Sequence, residues 1–479
     1  MTEVYRKNRM VDTRGFQSHY WLDHEGVRFG AGKQSALLYH PLKVSSLELD
    51  TGKKELIVNL DHMGDHHYVQ QTTSNQVGKV RHPSEYRTNE ERVDSFSLVV
   101  GYQPKVMARF IIQPYGYLTT HVWTEHADEQ TLESNRAIYF GSEKSTQASQ
   151  AVGGFVKHRI PVTKSVFYSN PYYKPYLRSH IAIEQHPQFL PFLDELHKQG
   201  NEIVLHTLYL FELRHYQSTT ENILAFMKNR FGSVTWIDHG YLKSSFAFDG
   251  LDKKTPHYLA QMWEKYDTKY FWHYSAEDTA NTNLSLDLYQ TRKNDALRTP
   301  LYWSHPTVTG PFYTWASAVV PEDTMYQYSG KNLYELIHNR GVFINYTYLA
   351  RVPSSERAGR FMIRNANGEW VIHPAFDQLL KKLSTLRDQG DLYLTTVRDI
   401  MNYWIAISQV RMEYAPSGAI WLHNEGKQKI SGLSMATQSN EVFVNGKKPL
   451  QREVDGERIF WFDLEPGARA VISSNPADH

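Results

Sequence analysis

The sequence predicts an α/β fold: a parallel sheet or barrel with crossover helices, carried between a β-rich N-terminal segment and a small C-terminal β-sandwich. Three observations predict it. Between about residues 115 and 410, short apolar runs alternate with amphipathic stretches that end in glycine, the pattern of strands joined by helices. Before that region apolar and polar residues alternate singly, and after Tyr414 the period returns to two with turn dipeptides between the runs. The chain therefore divides into a β-rich domain (1–114), a barrel (115–410) and a β-sandwich (415–479).

In the first segment, residues 46–50 and 55–60 alternate apolar and polar and are joined by Thr51-Gly52-Lys53, which predicts a hairpin. Asp61-His62-Met63-Gly64-Asp65-His66-His67 follows, a cluster with metal-binding residue types that in loops is more often simply solvated. In the second segment, a β-branched and aromatic run at 117–123 ends in Thr124-Glu125-His126-Ala127-Asp128-Glu129, and 131–139 reads as a helix. A strand is expected at 160–168. Pro187 then opens a helix with Phe189, Leu190, Leu193 and Leu196 on one face, stopped at Gly200. The strand 203–205 delivers His206. His215 stands nine positions later, before the helix-start signal Ser218-Thr219-Thr220-Glu221.

A helix from 221 carries Ile223, Leu224, Met227 and Phe231 to Gly232, and the strand 234–237 leads into Asp238-His239-Gly240. Tyr270-Phe271-Trp272 precedes His273, and Gly341-Val342-Phe343-Ile344 precedes Asn345-Tyr346. A helix at 376–386 with its stop at Gly390, a strand at 392–395 and a helix at 397–407 complete the series. Residues 275–330, rich in Tyr, Thr and Asn, read as a long loop or lid. In the last segment, strands are expected at 420–423, 442–444, 459–462 and 470–472, with Asn445-Gly446 as a hairpin turn.

Composition bounds the function. At 479 residues with 41% hydrophobic and 13% aromatic residues the chain is globular, and its 11 Trp and 31 Tyr suit a carbohydrate or peptide cleft as well as a core. Charge is balanced, 52 basic against 51 acidic residues, so no broad field points to nucleic acid or an anionic membrane. With no cysteine, any metal must sit on His, Asp or Glu. No apolar run is long enough to span a membrane, and the first residues lack the apolar core of a signal peptide. A cytoplasmic protein is expected, although a mature secreted form with a new initiating Met would read the same way.

Asp128, His206, Asp238, His239 and His273 all fall at or just past the C-terminal ends of expected parallel strands, where loops of α/β folds converge into sites. Two imidazoles and a carboxylate meeting there would make a divalent-metal site open to water. Among 23 histidines some reach strand ends by chance, and His273 and His305 individually read as structural.

Gly200-Asn201-Glu202-Ile203-Val204-Leu205-His206-Thr207, Arg214-His215 with the helix start after it, and 376–396 with its Gly-Asp-Leu-Tyr-Leu-Thr-Thr strand resemble the polysaccharide deacetylase superfamily (NodB-homology, carbohydrate esterase family 4-like). The resemblance covers about 115–410. It implies a distorted (β/α) barrel of deacetylase type and a hydrolase that removes acetyl groups, N-acetyl foremost, from a polysaccharide or oligosaccharide. It further implies a divalent metal, zinc first, with Co, Ni or Mn as alternatives, held by Asp128, His206 and His215. The catalytic base falls among His126, Glu125 and Glu129, and His239 stands as acid to the leaving amine. Trp123, Asp238, Trp272 and Tyr346 are expected to contact the substrate.

The sequence departs from the family in three places. The histidines are nine apart rather than four, the family's Asp-Asp pair is reduced to Glu125-His126-Ala127-Asp128, and Asn345-Tyr346-Thr347-Tyr348 stands where a late histidine is expected. If His215 is not a ligand, His239 or His126 is the first replacement. Two other functions fit the same residues: a glycan-binding protein on an altered deacetylase barrel, and a glycoside hydrolase using Asp128, Glu129 or Asp238 in a carboxylate pair.

Overall fold

The computed structural model describes residues 108–170, 180–208, 216–239, 253–272, 327–338, 340–352 and 361–477, together with isolated strands and single positions elsewhere. Its centre is a parallel sheet that curls into a half-barrel, flanked by antiparallel sheets. In spatial order its strands include Val342–Tyr346, Thr119–Glu125, Val162–Val166, Glu202–Leu205, Thr235–Ile237, Tyr270–Trp272 and Tyr313–Thr314, with Leu392–Thr395 also paired to Thr119–Glu125. These strands are buried on both faces, as a sheet covered by crossover helices must be.

The helices obey their sequence signals. Leu132–Phe140 starts from a Thr131–Ser134 capping box and stops at Gly141. Phe189–Lys198 buries Phe189, Phe192, Leu193 and Leu196, and Pro374–Asp388 buries Phe376, Leu379, Leu380 and Leu383. Val397–Ser408 is capped by the Thr396 side chain and ends the series. The helix expected from residue 221 runs instead over Tyr216–Phe231, so the Ser-Thr-Thr-Glu signal lies inside its first turns. The expected hairpin at the N-terminus pairs Ser46–Asp50 with Glu55–Asn59, Ser46 opposite Asn59. Residues 275–330, expected as a long loop, instead contribute the strands Glu277–Asp278, Trp303–Ser304, Tyr313–Thr314 and Ser317–Val319 to the central sheet. Much of the rest of that segment lies outside the described residues, as do Asp61 to His67, His215, His273 and His305.

After the barrel come two four-stranded antiparallel sheets. One orders Val410–Tyr414, Ile420–Asn424, Arg469–Ser473 and Phe443–Val444. The other orders Arg109–Phe110, Ile430–Thr437, Glu457–Leu464 and Leu450–Val454, so its first strand comes from the far side of the barrel in sequence. The join is pinned by a buried triad, with Arg109 at 2.7 Å and Arg340 at 2.9 Å from the Glu457 carboxylate. Asn445-Gly446 forms the expected two-residue turn, both residues at positive φ and Val444 bonded to Lys447 in both directions. Asp455-Gly456, also at positive φ, makes a second such turn between Leu450–Val454 and Glu457–Leu464.

Candidate metal centre

Backbone hydrogen bonds carry the sheet pairing past the strand ends and fix where the histidines begin. His126 N–H donates to the Thr347 carbonyl at 2.9 Å, His206 N–H to Val166 at 2.8 Å and Asp238 N–H to Trp272 at 3.0 Å. The side chains beyond those points converge. One ligand atom from each of His126, Asp128 and His206 lies within 4.8 Å of the others, a group that could hold a metal ion. Asp128 Oδ2 is 3.1 Å from His206 Nε2, while Oδ1 is 2.8 Å from Nε2 of His239. The group keeps limited access to water: the His206 side chain is 1% exposed, Asp128 16% and His239 18%.

The second nitrogen of His206 settles its tautomer. Nδ1 lies 2.9 Å from the Ile237 carbonyl, which can only accept, so Nδ1 carries the proton. Burial holds His206 below the usual imidazole pKa against the pull of Asp128, so the ring is neutral and Nε2 presents a lone pair to a carboxylate oxygen. Two lone pairs facing each other at this distance define the place of a cation, and an Nδ1–H fixed by a carbonyl is the arrangement that orients metal-ligating histidines. The donor set of two imidazoles and a carboxylate suits zinc.

The neighbouring charges are arranged around that group. Burial would raise the Asp128 carboxyl, but the charge and hydrogen bond of His239 hold it well below the usual carboxylate range. Burial would lower His239, and the charge and hydrogen bond of Asp128 outweigh it, leaving His239 above its usual value. His126 is held well below, first by burial and then by the nearby His206. The backbone is strained beside both anchors: Glu129, after Asp128, has φ 55°, and the β-branched Thr207, after His206, has φ 63°.

The other expected site residues separate into those that reach the group and those that do not. Trp272 and Tyr346 stack on each other at 4.9 Å and both set their rings against His126, at 4.6 and 4.1 Å; they are buried and wall the imidazole. Trp123, expected on the substrate, is fully buried among His121, Phe155, Tyr328 and Phe376, because its strand turns that face to the helices. The Asp238 carboxylate accepts the Trp236 indole N–H at 2.6 Å and the Phe246 amide at 2.9 Å and braces the loop rather than facing a ligand. Glu129 is tied to Arg351 at 2.8 Å. Glu125 faces the opposite side of its strand, ion-paired to Lys164 at 3.0 Å and bonded by Gln130, Tyr139 and the Ala350 amide. His215 lies outside the described residues, and His126 is the second imidazole of the group.

Sequence reasoning missed three participants. Phe167 packs under His206 and His239 at 5.1 and 5.5 Å, His180 accepts the Glu129 amide at 3.0 Å, and the Tyr348 hydroxyl is hydrogen-bonded to that of Tyr346. Tyr348 was visible just past the run that ends at Tyr346, whereas Phe167 was read as part of the strand expected at 160–168, which in fact stops at Val166. His180 carries no such signal.

No helix among the described residues is long and apolar enough to cross a membrane. No family model matches the chain, and no curated protein does. Among solved structures, it is similar to an α-amylase from Geobacillus thermoleovorans complexed with acarbose, with 11% identity and a TM-score of 0.26 over 75% of this chain and 98% of that one. A pullulanase from an Anoxybacillus species aligns with 7% identity and a TM-score of 0.23 over 98% of this chain and 82% of that one. Likeness at this level leaves the activity to be argued from the chain's own residues.

Proposed function

We propose that the protein is a metal-dependent hydrolase that removes acetyl groups, N-acetyl foremost, from a polysaccharide or oligosaccharide, with zinc held by His126, Asp128 and His206. The observation that carries this reading is the neutral His206 Nε2 facing the Asp128 carboxylate at the water-accessible end of a parallel sheet. A divalent ion held by His126, Asp128 and His206 would lower the pKa of a water to about 7 and polarise an acyl carbonyl. The remaining work falls to the chain's own groups. Asp128 uses its other oxygen to hold His239 and raise its pKa, which places an imidazole that can carry a proton beside the group for an oxyanion or a leaving amine. Trp272 and Tyr346 fix the His126 ring and exclude water behind it. Asp238 and Glu129, bonded as they are, do not supply the second carboxylate that glycoside hydrolysis needs.

The test is acetate release from an N-acetylated chitooligosaccharide, with metal content measured alongside. Zinc uptake near one ion per chain, loss of acetate release in chelator and loss of both in Asp128→Asn support the reading. A protein that takes up no metal and releases acetate equally well as Asp128→Asn would overturn it.

A further inference from the structure

At the opposite end of the sheet from the histidines lies a cavity of about 490 Å³, within the range of small-molecule sites. Tyr270 and Tyr313 stand at the N-terminal starts of their strands and form one wall, their rings 6.3 Å apart. The last turns of the Val397–Ser408 helix supply Asn402, Ile405 and Ala406, and Gln409 follows them. The loop from Glu425 to Gln428 forms the rim. That rim is held in place: Glu425 N–H donates to the Gln409 carbonyl at 3.2 Å, and Gly426 lies so close that a Cβ there would fall 2.5 Å from Gln409 Oε1.

The lining selects a ligand class. Its charges cancel in kind, Asp267 and Glu425 against Lys269 and Lys427, so neither an anion nor a cation meets a field of opposite sign. The helix presents its C-terminal end, whose carbonyls carry partial negative charge and repel phosphate and carboxylate. Gln409 and Gln428 each carry a donor and an acceptor on one amide, as adjacent sugar hydroxyls do, and Asn402, whose Oδ1 accepts the Tyr270 hydroxyl, adds its amide N–H. The half-buried Tyr313 ring and the Ile405–Ala406 floor give apolar surface for the C–H face of a pyranose.

We propose that this cavity is a second binding site, for a neutral saccharide unit, separate from the metal centre. It does not rest on the chemistry at His206, since none of its lining residues belongs to that group. Isothermal titration of the full chain with triacetylchitotriose and maltotriose, in chelator, tests it, with glucose 6-phosphate as the anionic control. The expected result is binding of at least one neutral trisaccharide that survives chelation and Asp128→Asn, and weakens at least tenfold in Tyr313→Ala and in Gln428→Ala. Gln428 is exposed in a loop, so its variant keeps the fold even if Tyr313→Ala does not. Absence of binding by both trisaccharides, affinity unchanged in Gln428→Ala, or tighter binding of glucose 6-phosphate would each overturn the proposal.

Discussion

Glu125 closes its strand and Asp128 lies in the loop just after it, and the partners that the fold gives these two carboxylates differ in kind. Glu125 meets groups that all donate to it: the Lys164 ammonium, the Gln130 amide N–H, the Tyr139 hydroxyl and the Ala350 amide. Every contact there has one way to be satisfied, and both ions of the pair are fully buried. Asp128 meets imidazoles, which donate or accept according to tautomer and charge, and its side chain retains access to water. A carboxylate surrounded by fixed donors is a structural brace. One surrounded by ambivalent nitrogens can exchange a proton or a metal, and this difference separates the two roles within a single loop.

The largest effect is expected from removing one ion of the brace. Lys164→Met should cost about 3–5 kcal/mol in denaturant unfolding, because it strands a buried carboxylate. The double variant Glu125→Leu/Lys164→Met should cost less than the sum of the single ones, and strict additivity would mean that the pair is not coupled. Asp128→Asn tests the other side. Its unfolding free energy should change by no more than about 1 kcal/mol, while zinc affinity by competition titration falls by more than about 100-fold. Equal stability losses in the two variants would erase the distinction between brace and site.

Metal removal gives the next effect. With free zinc at about 100 times its Kd the native state gains about 2.7 kcal/mol, so chelator should lower the melting temperature of the wild type and leave that of Asp128→Asn unmoved. Acid sharpens the contrast from a third direction. His121 is buried on the same strand face as Glu125, and burial pushes its pKa down to about 3. Its folded-state pKa lies below the unfolded value near 6.5, so the unfolded chain binds the extra proton between those limits. Stability is therefore full above about pH 6.5 and falls as pH drops toward 3, with a slope of up to about 1.4 kcal/mol per pH unit. His121→Phe should flatten that slope by the same amount in urea melts between pH 4 and 6. The smallest effect is expected at Thr207, where glycine relieves the left-handed strain but empties a fully buried side chain, so the unfolding free energy should change by no more than about 1 kcal/mol.

Local signals were the legible part of this sequence. The helix faces at 189–198 and 374–388, their glycine stops and the strand Leu392–Thr395 follow from periodicity and capping alone. The convergence of Asp128 and His206 was legible too, because strand ends in a parallel sheet share one rim. The identity of the second imidazole was not, since His126 joins the group only through the curvature that brings Thr119–Glu125 beside Val162–Val166 and that strand beside Glu202–Leu205. The fates of Trp123 and Asp238 turned on which face of a doubly buried strand meets the helices and on a partner two residues back, Trp236, neither of which hydrophobicity reports.

The strand Arg109–Phe110 belongs to a sheet whose other members are synthesised only after the barrel is complete, and its Arg109 waits 348 residues for Glu457. During translation this segment leaves the ribosome with an unfilled edge, and a chain cut short before Ile430 never fills it. Open strand edges are templates for association. A copy cut short before that point should therefore be prone to aggregation or proteolysis, and the late pairing of Arg109–Phe110 marks a chain made at least as far as Glu457.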